Sequence, residues 1–295
     1  MYRGQLNPKS RACADALISC TIRPQLQALQ LSHRRRPCQF GLNMARHRLL
    51  SNAPIQEALF DIQFDPGTQS ALLGSAVEQL VNRFADSPND AEVSSLWDSF
   101  FEFSLSPGIA PPRAVPRNEV EGRRVDFKAK GQVLQLRPTG FAFSRLPKYV
   151  DWNEASHAAI ALWQAFASYV KPTKIRRVGL RYINAIQLPM PVENISDYLA
   201  VVPEVPKELP QTVANFLHRL ILQKGDLVGQ VTQAAQGFTE DQKHLKVLLD
   251  LDVHCVRNIE VDDAAGLSSL FAELRAYKND LFFAFLTEKT IGMYE

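Results

Sequence analysis

The chain has 295 residues, 46% of them hydrophobic, and a formal net charge of +2 at pH 7. No apolar run approaches the roughly 18 residues of a membrane-spanning helix, so we expect a globular protein of one large or two small domains and no membrane partner. Seven of the 33 Lys and Arg, but only one of the 31 acids, lie in residues 1–43. The remainder therefore has a net charge of −4, which disfavours nucleic acid as a partner of the body.

The leading segment differs in composition from the rest of the chain. Residues 1–52 are rich in Arg, poor in acids and without apolar periodicity, which predicts a basic, disordered N-terminal extension. A transit peptide has a similar composition and is the alternative. Met44 opens the stretch MARHRLLSNAPIQEALFDIQF and would be a natural beginning, in which case residues 1–43 come from an upstream start.

Cysteine usage indicates a reducing compartment. Three of the four cysteines lie in the leading segment, and no Cys-x-x-Cys pair exists, which disfavours a zinc site. Cys255 alternates with Val253 and Leu251, the pattern of a buried apolar thiol. We therefore expect no disulfide framework and a cytoplasmic location.

The first α+β half covers residues 53–172. Apolar alternation, helical spacing and turn residues predict its elements in this order: a strand at 58–64, a helix at 72–84, a short strand at 97–105, an exposed proline-rich loop at 107–116, meander strands at 124–130, 131–137 and 140–146, and a helix from the N-cap Asp151 to about Val170. The second half covers residues 173–295. Its predicted elements are a long strand at 174–189, a short helix at 195–202, strands at 216–222, 227–234 and 245–255, a helix at 266–278 that Asn279 can end, and a helical segment at 281–294.

Both halves contain a strand, a helix, several antiparallel strands and a second helix. We therefore predict an α+β fold in which two similar strand–helix–antiparallel-meander–helix halves share one continuous sheet with the helices on one face. This order is similar to the duplicated architecture of the TATA-binding-protein-like fold class. The likeness concerns the fold alone and implies nothing about DNA.

The uncovered face of this sheet is predicted to carry a polar set. Asp250, Asp252 and His254 project together from one strand, about 7 Å apart per step. Two carboxylates and an imidazole can hold a divalent metal or act as acid and base. The alternative is that both acids pair with Arg137 and Arg181 on neighbouring strands as structural bridges. Further residues considered for this face are Glu57, Asp61, Gln63, Gln135 and Arg145, the last of which shares its strand face with Phe141 and Phe143.

Familiar nucleotide-binding and hydrolase motifs are missing from the sequence. It contains no Walker loop, no Gly-x-Gly-x-x-Gly, no His-Glu-x-x-His and no Gly-x-Ser-x-Gly. We therefore expect no cofactor, and neither a nucleotide-dependent enzyme nor an α/β hydrolase of familiar type.

Five separated segments together resemble a known family. They are PIQEALFDIQF (54–64), QLRPTGFAFSRLPKYVDW (135–152), RRVGLRYINAIQLP (176–189), LLDLDV (248–253) and KNDLFFAFLTEK (278–289). In this order and spacing they look like a sporadically distributed, uncharacterised family of bacterial proteins, over about residues 44–295. The resemblance implies no activity. It implies a site, or a scaffold, at the motif positions Glu57, Arg137, Arg145, Arg181, Tyr182, Asn184, Asp250 and Asp252.

Three functional hypotheses follow, in decreasing order of preference. The first is a non-catalytic binding protein with a protein partner, which in a patchily distributed bacterial family would suit defence or toxin neutralisation. The second is an enzyme, or a metal- or anion-binding protein, that uses Asp250, Asp252 and His254 on the open face with Arg137 and Arg181 as anion clamps. The third, nucleic-acid binding, rests on the fold likeness and the leading arginines.

Overall fold

The computed structural model describes residues 45–67, 73–87, 89–104, 113–147, 151–203, 205–206, 208–209 and 215–295, all within one compact unit, Gly41–Glu295. The predictions for residues 1–44, and for most of the proline-rich loop, lie outside these described residues. The elements in chain order are β1 (Ile55–Asp65), α1 (Leu73–Phe84), β2 (Ala91–Ser104), β3 (Arg113–Phe127), β4 (Gln132–Arg137), β5 (Gly140–Arg145), α2 (Trp152–Val170), β6 (Lys174–Pro189), a 3-10 turn (Ile195–Asp197), β7 (Leu217–Lys224), β8 (Leu227–Phe238), β9 (His244–Cys255), α3 (Ala264–Phe285) and α4 (Glu288–Gly292).

Across the described residues, nine strands form one open sheet in the order β2-β3-β4-β5-β1-β6-β9-β8-β7. Every neighbouring pair is antiparallel. Four helices pack on this sheet, so the predicted α+β class is confirmed. None of the described helices combines the length and the apolarity needed to cross a membrane.

The central pair of strands, β1 and β6, sets the two sides of the sheet. Phe60 lies opposite Leu180 and Ile62 opposite Val178, and all four side chains are buried under the helices. Because successive side chains of a strand point to opposite faces, the residues between them, such as Asp61, lie on the open face. The position of each residue in this alternation therefore decides which face it lies on and which candidate residues can meet.

Helix α2 covers one half of the sheet with aromatic side chains. Trp163 and Phe166 are fully buried, and their ring centroids lie 5.5 Å and 5.9 Å from that of Phe64 on β1. Burying one such side chain stabilises a fold by roughly 1.5–3 kcal/mol. The helix begins where predicted, because Asp151 Oδ1 accepts a 2.8 Å hydrogen bond from the Glu154 N–H.

Two predicted boundaries in the first half are wrong. Strand β2 begins at Ala91 rather than Trp97, and β3 begins at Arg113, inside the segment predicted as a loop. Pro116 is tolerated there because β4 pairs only with residues 123–127, which leaves β2 as the described partner of the outer part of β3. A strand without a second neighbour can accommodate a residue that has no N–H to donate.

Two predicted boundaries in the second half are also wrong. The helix predicted at 195–202 is a single 3-10 turn at Ile195–Asp197. Helix α3 does not end at Asn279 but continues to Phe285. The reason is that its apolar stripe continues through Leu281, which is buried like Phe285, so packing on the sheet outweighs the capping preference of asparagine.

Residues 45–52, which the sequence assigns to the leading extension, lie against the last two helices. Ala45 is buried, and its N–H points to the carbonyl oxygens of Phe283 and Leu286, at 3.2 Å and 3.1 Å. Arg48 pairs with Glu288 at 2.6 Å. This contact brings the start of the described chain beside α3.

Candidate functional site

The two aspartates predicted on β9 both lie beside arginines of β6. Arg181 on β6 donates two hydrogen bonds to Asp250 on β9, at 2.8 Å and 2.6 Å. The side chain of Asp250 is only 10% exposed, so the guanidinium closes most of its remaining surface. The hydrogen bond to Asp250 raises the pKa of Arg181 above its ordinary value. This geometry is that of a bidentate structural pair.

A second arginine lies between two carboxylates. Arg177 on β6 bonds to Asp61 on β1, and its other amino group lies 3.7 Å from Asp252 on β9. Gly179 allows this arrangement, since a Cβ at that position would come within 3.0 Å of Arg177 Nη1. Burial raises the pKa of Asp61 above its ordinary value, although the charge of Arg177 opposes that rise.

His254 lies beside this second pair. Its Nδ1 is buried and has no hydrogen-bond partner in the described part of the chain. Burial, and then the charge of Arg177, lower the pKa of His254 below its ordinary value. Among the described residues no three His, Cys, Asp or Glu side chains are placed to hold one metal ion. Asp250, Asp252 and His254 thus share a strand face, but the two acids already face arginines.

Two further residues predicted on the open face have nearer partners. Glu57 accepts a 2.5 Å hydrogen bond from Ser144, and Arg137 pairs with Glu121 at 2.9 Å. Arg137 therefore does not bridge to β9, and Arg177 takes the place predicted for it. A groove of about 580 Å³ at this end of the face is lined by Asp61, Glu121, Arg137 and Arg176. Arg176 pairs with an acid of β1 in turn, so both arginines of the groove are already compensated.

Three of the candidate site residues do not lie on the open face. Tyr182, Asn184 and Arg145 have the parity of the buried side chains and lie on the helix-covered face. Arg145 donates to Glu154 of α2 at 3.1 Å. Asn184 donates to the Leu249 carbonyl at 3.0 Å. Strand parity therefore separates these residues from the charged pairs of β6 and β9.

Tyr182 and Asn184 instead line a cavity of about 400 Å³ on the helix-covered face. Its walls come from the segment 48–53, the start of β1, the middle of β6, the first turn of α2 and the second half of α3. Among its lining side chains are Asp151, Trp152, Tyr182, Asn184, Arg275 and Lys278.

Lys278 is the buried amine of this cavity. The residue is 9% exposed, and its Nζ lies 4.0 Å from the ring centroid of Tyr182. No acidic side chain of the described residues forms an ion pair with it. Burial lowers the pKa of Lys278 to about 7, and the nearby charge of Arg275 acts in the same direction. The amine is therefore both protonated and neutral in comparable amounts near pH 7.

Arg275 is a second cation of the cavity. It lies one turn before Lys278 on α3, and its Cζ is 5.0 Å from the ring centroid of Trp152. Arg48 lines the cavity too, but two C-terminal glutamates hold its guanidinium. Asp151 uses one carboxylate oxygen to cap α2. Arg275, unlike Arg48, thus has no acid partner among the described residues.

Sequence reasoning missed Lys278 and Arg275, although Lys278 opens the last segment of the family resemblance. The available signal was helical spacing, because Leu274 and Leu281 place Lys278 on the buried stripe of α3. A lysine on such a stripe indicates an unusual environment.

Comparison of the chain with protein-family models, with curated proteins and with solved structures finds no match.

Proposed function

We propose that the protein binds a small anion, and that the cavity beside Lys278 is its binding site. The observation that carries this proposal is a buried amine at the wall of a 400 Å³ cavity with no acid partner among the described residues. An uncompensated buried charge is costly, and a bound anion would offset that cost. Arg275 would contribute a planar guanidinium, which suits a carboxylate or a phosphate.

This proposal keeps the predicted class of binding protein and moves the predicted anion site. Arg137 and Arg181, the expected anion clamps, each have an acid partner on the open face. An anion would have to displace those carboxylates before it could bind there. In the cavity the ligand would meet cations without such competition.

Calorimetric titration of the full chain with acetate, lactate and inorganic phosphate at pH 6 tests the proposal. We expect at least one of these anions to bind, and the Lys278→Met variant to bind it at least about tenfold more weakly, a loss of about 1.4 kcal/mol. Lys243→Met is the matched control, since that side chain is 76% exposed and outside the cavity. Absence of binding by all three anions, or equal affinity in Lys278→Met, would contradict the proposal.

We propose, second, that a protein partner binds at strand β7 and that this partner is another copy of the chain. Leu217, Ile221 and Leu222 are 75%, 58% and 36% exposed on a strand at the end of the described sheet. Exposed strand edges favour pairing with a further strand. With Leu220 opposite its own copy, Ile221 would lie opposite Arg219, and no like charges would directly face each other.

Light scattering coupled to size exclusion tests this second proposal. We expect a concentration-dependent dimer for the wild-type chain and a monomer for Ile221→Lys, because the new charge would lie in the paired edge. Gln187→Lys is the control, since Gln187 is an exposed residue of the central strand β6. A monomeric wild-type chain, or a dimer that Ile221→Lys leaves intact, would count against the β7 contact.

Two further proposals concern the evolutionary origin of the chain. An internal duplication of the TATA-binding-protein-like kind is supported by strand order, because β1 pairs with β5 as β6 pairs with β9, and β1 and β6 pair with each other. Membership of the sporadically distributed bacterial family is supported by its five segments, which fall on the central strands and on α3 and α4. On that resemblance we also propose a role in defence or toxin neutralisation.

A further inference from the structure

We infer that the anion bound beside Lys278 is a small α-keto acid, and that the Lys278 amine joins its carbonyl carbon as an imine. This inference rests on the proposed function, because the ligand must first occupy the cavity. It is carried by three features that lie together on one wall, namely a buried amine, a neighbouring guanidinium and a space of about 400 Å³.

No acid of the described residues forms an ion pair with the Lys278 amine. The charged groups around it are Arg275 on its own helix, Asp151 at the start of α2 and Arg48 on the N-terminal segment. Asp151 caps its helix and forms no ion pair with Lys278, and the positive charge of Arg48 is paired with glutamates. From β6, the aromatic ring of Tyr182 faces the amine. Such surroundings favour the neutral amine over the ammonium.

The reactivity of the Lys278 amine depends on its protonation state. Imine formation needs the neutral amine, because only its lone pair can add to a carbonyl carbon. With a pKa of about 7, about half of the Lys278 amines are neutral at pH 7, compared with about one in 3,000 for a lysine of ordinary pKa. Lys278 should therefore react at neutral pH in preference to the exposed lysines, although it is the more buried group.

The guanidinium of Arg275 favours one class of ligand. Arg275 lies one helical turn from Lys278 and rests on the face of Trp152, which orients its guanidinium. A guanidinium in a fixed plane binds a carboxylate through two parallel hydrogen bonds. A ligand whose carboxylate and ketone are directly bonded can reach both groups at once. The adjacent amine and guanidinium therefore favour an α-keto acid over a neutral aldehyde.

The chemistry balances without an oxidant or a cofactor. The Lys278 nitrogen adds to the ketone carbon, and one of the two amine protons passes to the ketone oxygen to give a carbinolamine. The hydroxyl then leaves together with the second amine proton as one water, and a carbon–nitrogen double bond remains. No electrons are transferred to or from the ligand. An added hydride donor such as cyanoborohydride reduces this bond to a stable secondary amine.

The experiment is reductive trapping of the full chain with pyruvate and cyanoborohydride at pH 7, followed by peptide mass mapping. We expect one carboxyethyl group on Lys278, formed at least about 100-fold faster than on the exposed Lys243, because the neutral amine is the form that reacts. Because both sites are measured in the wild-type chain, the result does not depend on the folding of a variant. Arg275→Met should slow trapping of pyruvate at least about tenfold but leave trapping of propanal within about twofold.

The outcomes separate this inference from the proposed function. Binding of lactate or acetate without any carboxyethyl group on Lys278 overturns the imine and leaves anion binding in place. If no anion binds and no carboxyethyl group forms, both the proposed anion binding and the imine are overturned. Equal modification of Lys278 and Lys243 overturns the imine site, since the reaction would then follow exposure. Equal slowing of pyruvate and propanal by Arg275→Met overturns the role of Arg275 as the carboxylate partner.

Discussion

Charged residues at the centre of the open face are paired, whereas one buried amine of the helix-covered face is not. On the open face Arg181 is closed against Asp250, and Arg177 lies between two acids. On the helix-covered face Lys278 is more deeply buried than either arginine, and no described acid compensates it. Paired charges on a sheet stabilise the fold and leave little for a ligand to gain. The uncompensated amine is therefore the better indicator of a site.

The largest expected effect comes from removing the uncompensated amine. Burial lowers the pKa of Lys278 from 10.5 to about 7, so between those pH values the unfolded chain holds a proton that the folded chain does not. The free energy of unfolding of the wild type should therefore rise with pH across this range by about 4 kcal/mol relative to Lys278→Met. Below pH 7 the Met variant should be the more stable protein.

Urea unfolding of both chains between pH 6 and pH 10 measures this difference. Lys243→Met is again the control and should follow the wild type at every pH, because its amine is exposed. A constant difference between wild type and Lys278→Met across the range would mean that the amine has an ordinary pKa.

The next effect tests the paired face. Asp250→Asn should lower the free energy of unfolding by about 2 kcal/mol, because Arg181 loses a charged bidentate partner while solvent still reaches part of its guanidinium. Glu92→Gln, which breaks an exposed pair with Lys128, should cost less than about 0.5 kcal/mol. Chemical denaturation at pH 7 compares the two variants, and equal losses would remove the distinction between closed and exposed pairs.

A third effect concerns the ligand. Non-covalent anion affinity should fall as the pH rises through about 7, because Lys278 loses its positive charge there. The expected loss between pH 6 and pH 9 is about tenfold. Trapping of a keto acid should change in the opposite direction, since it needs the neutral amine. Titration calorimetry and trapping on one preparation measure both trends, and trends of the same sign would exclude Lys278 as the common group.

The smallest effect distinguishes Asp61 from the other paired acids. Burial raises its folded pKa, so the folded chain holds a proton that the unfolded chain has lost at the same pH. Wild-type stability relative to Asp61→Asn should therefore decrease as the pH rises from the ordinary carboxyl range through the folded pKa. Thermal unfolding of both chains from pH 4 to pH 7 measures this slope, and a slope of opposite sign would show that Arg177 dominates.

Local patterns predicted most of the strands but not the site. Strand β6 was predicted at its observed bounds, because its apolar alternation, with Asn184 among the apolar side chains, runs to Pro189. Acid–arginine pairs were predicted for the open face, but one arginine was wrong. Strand order places β6 beside β9 and β4 three strands away, so Asp252 lies near Arg177 rather than Arg137. The cavity could not be predicted, because it is lined by Trp152, Tyr182 and Lys278 from three separate elements, which local spacing does not bring together.

The most direct test of the account is the pKa of Lys278 itself. NMR of the full chain labelled with carbon-13 in its lysines follows each side-chain Cε shift with pH, and the Lys278→Met spectrum assigns the signal. We predict one lysine that titrates with a midpoint near 7 and disappears in the variant. If every lysine titrates near its ordinary value of about 10.4, the amine is not held neutral, and the cavity loses its role as a reactive anion site.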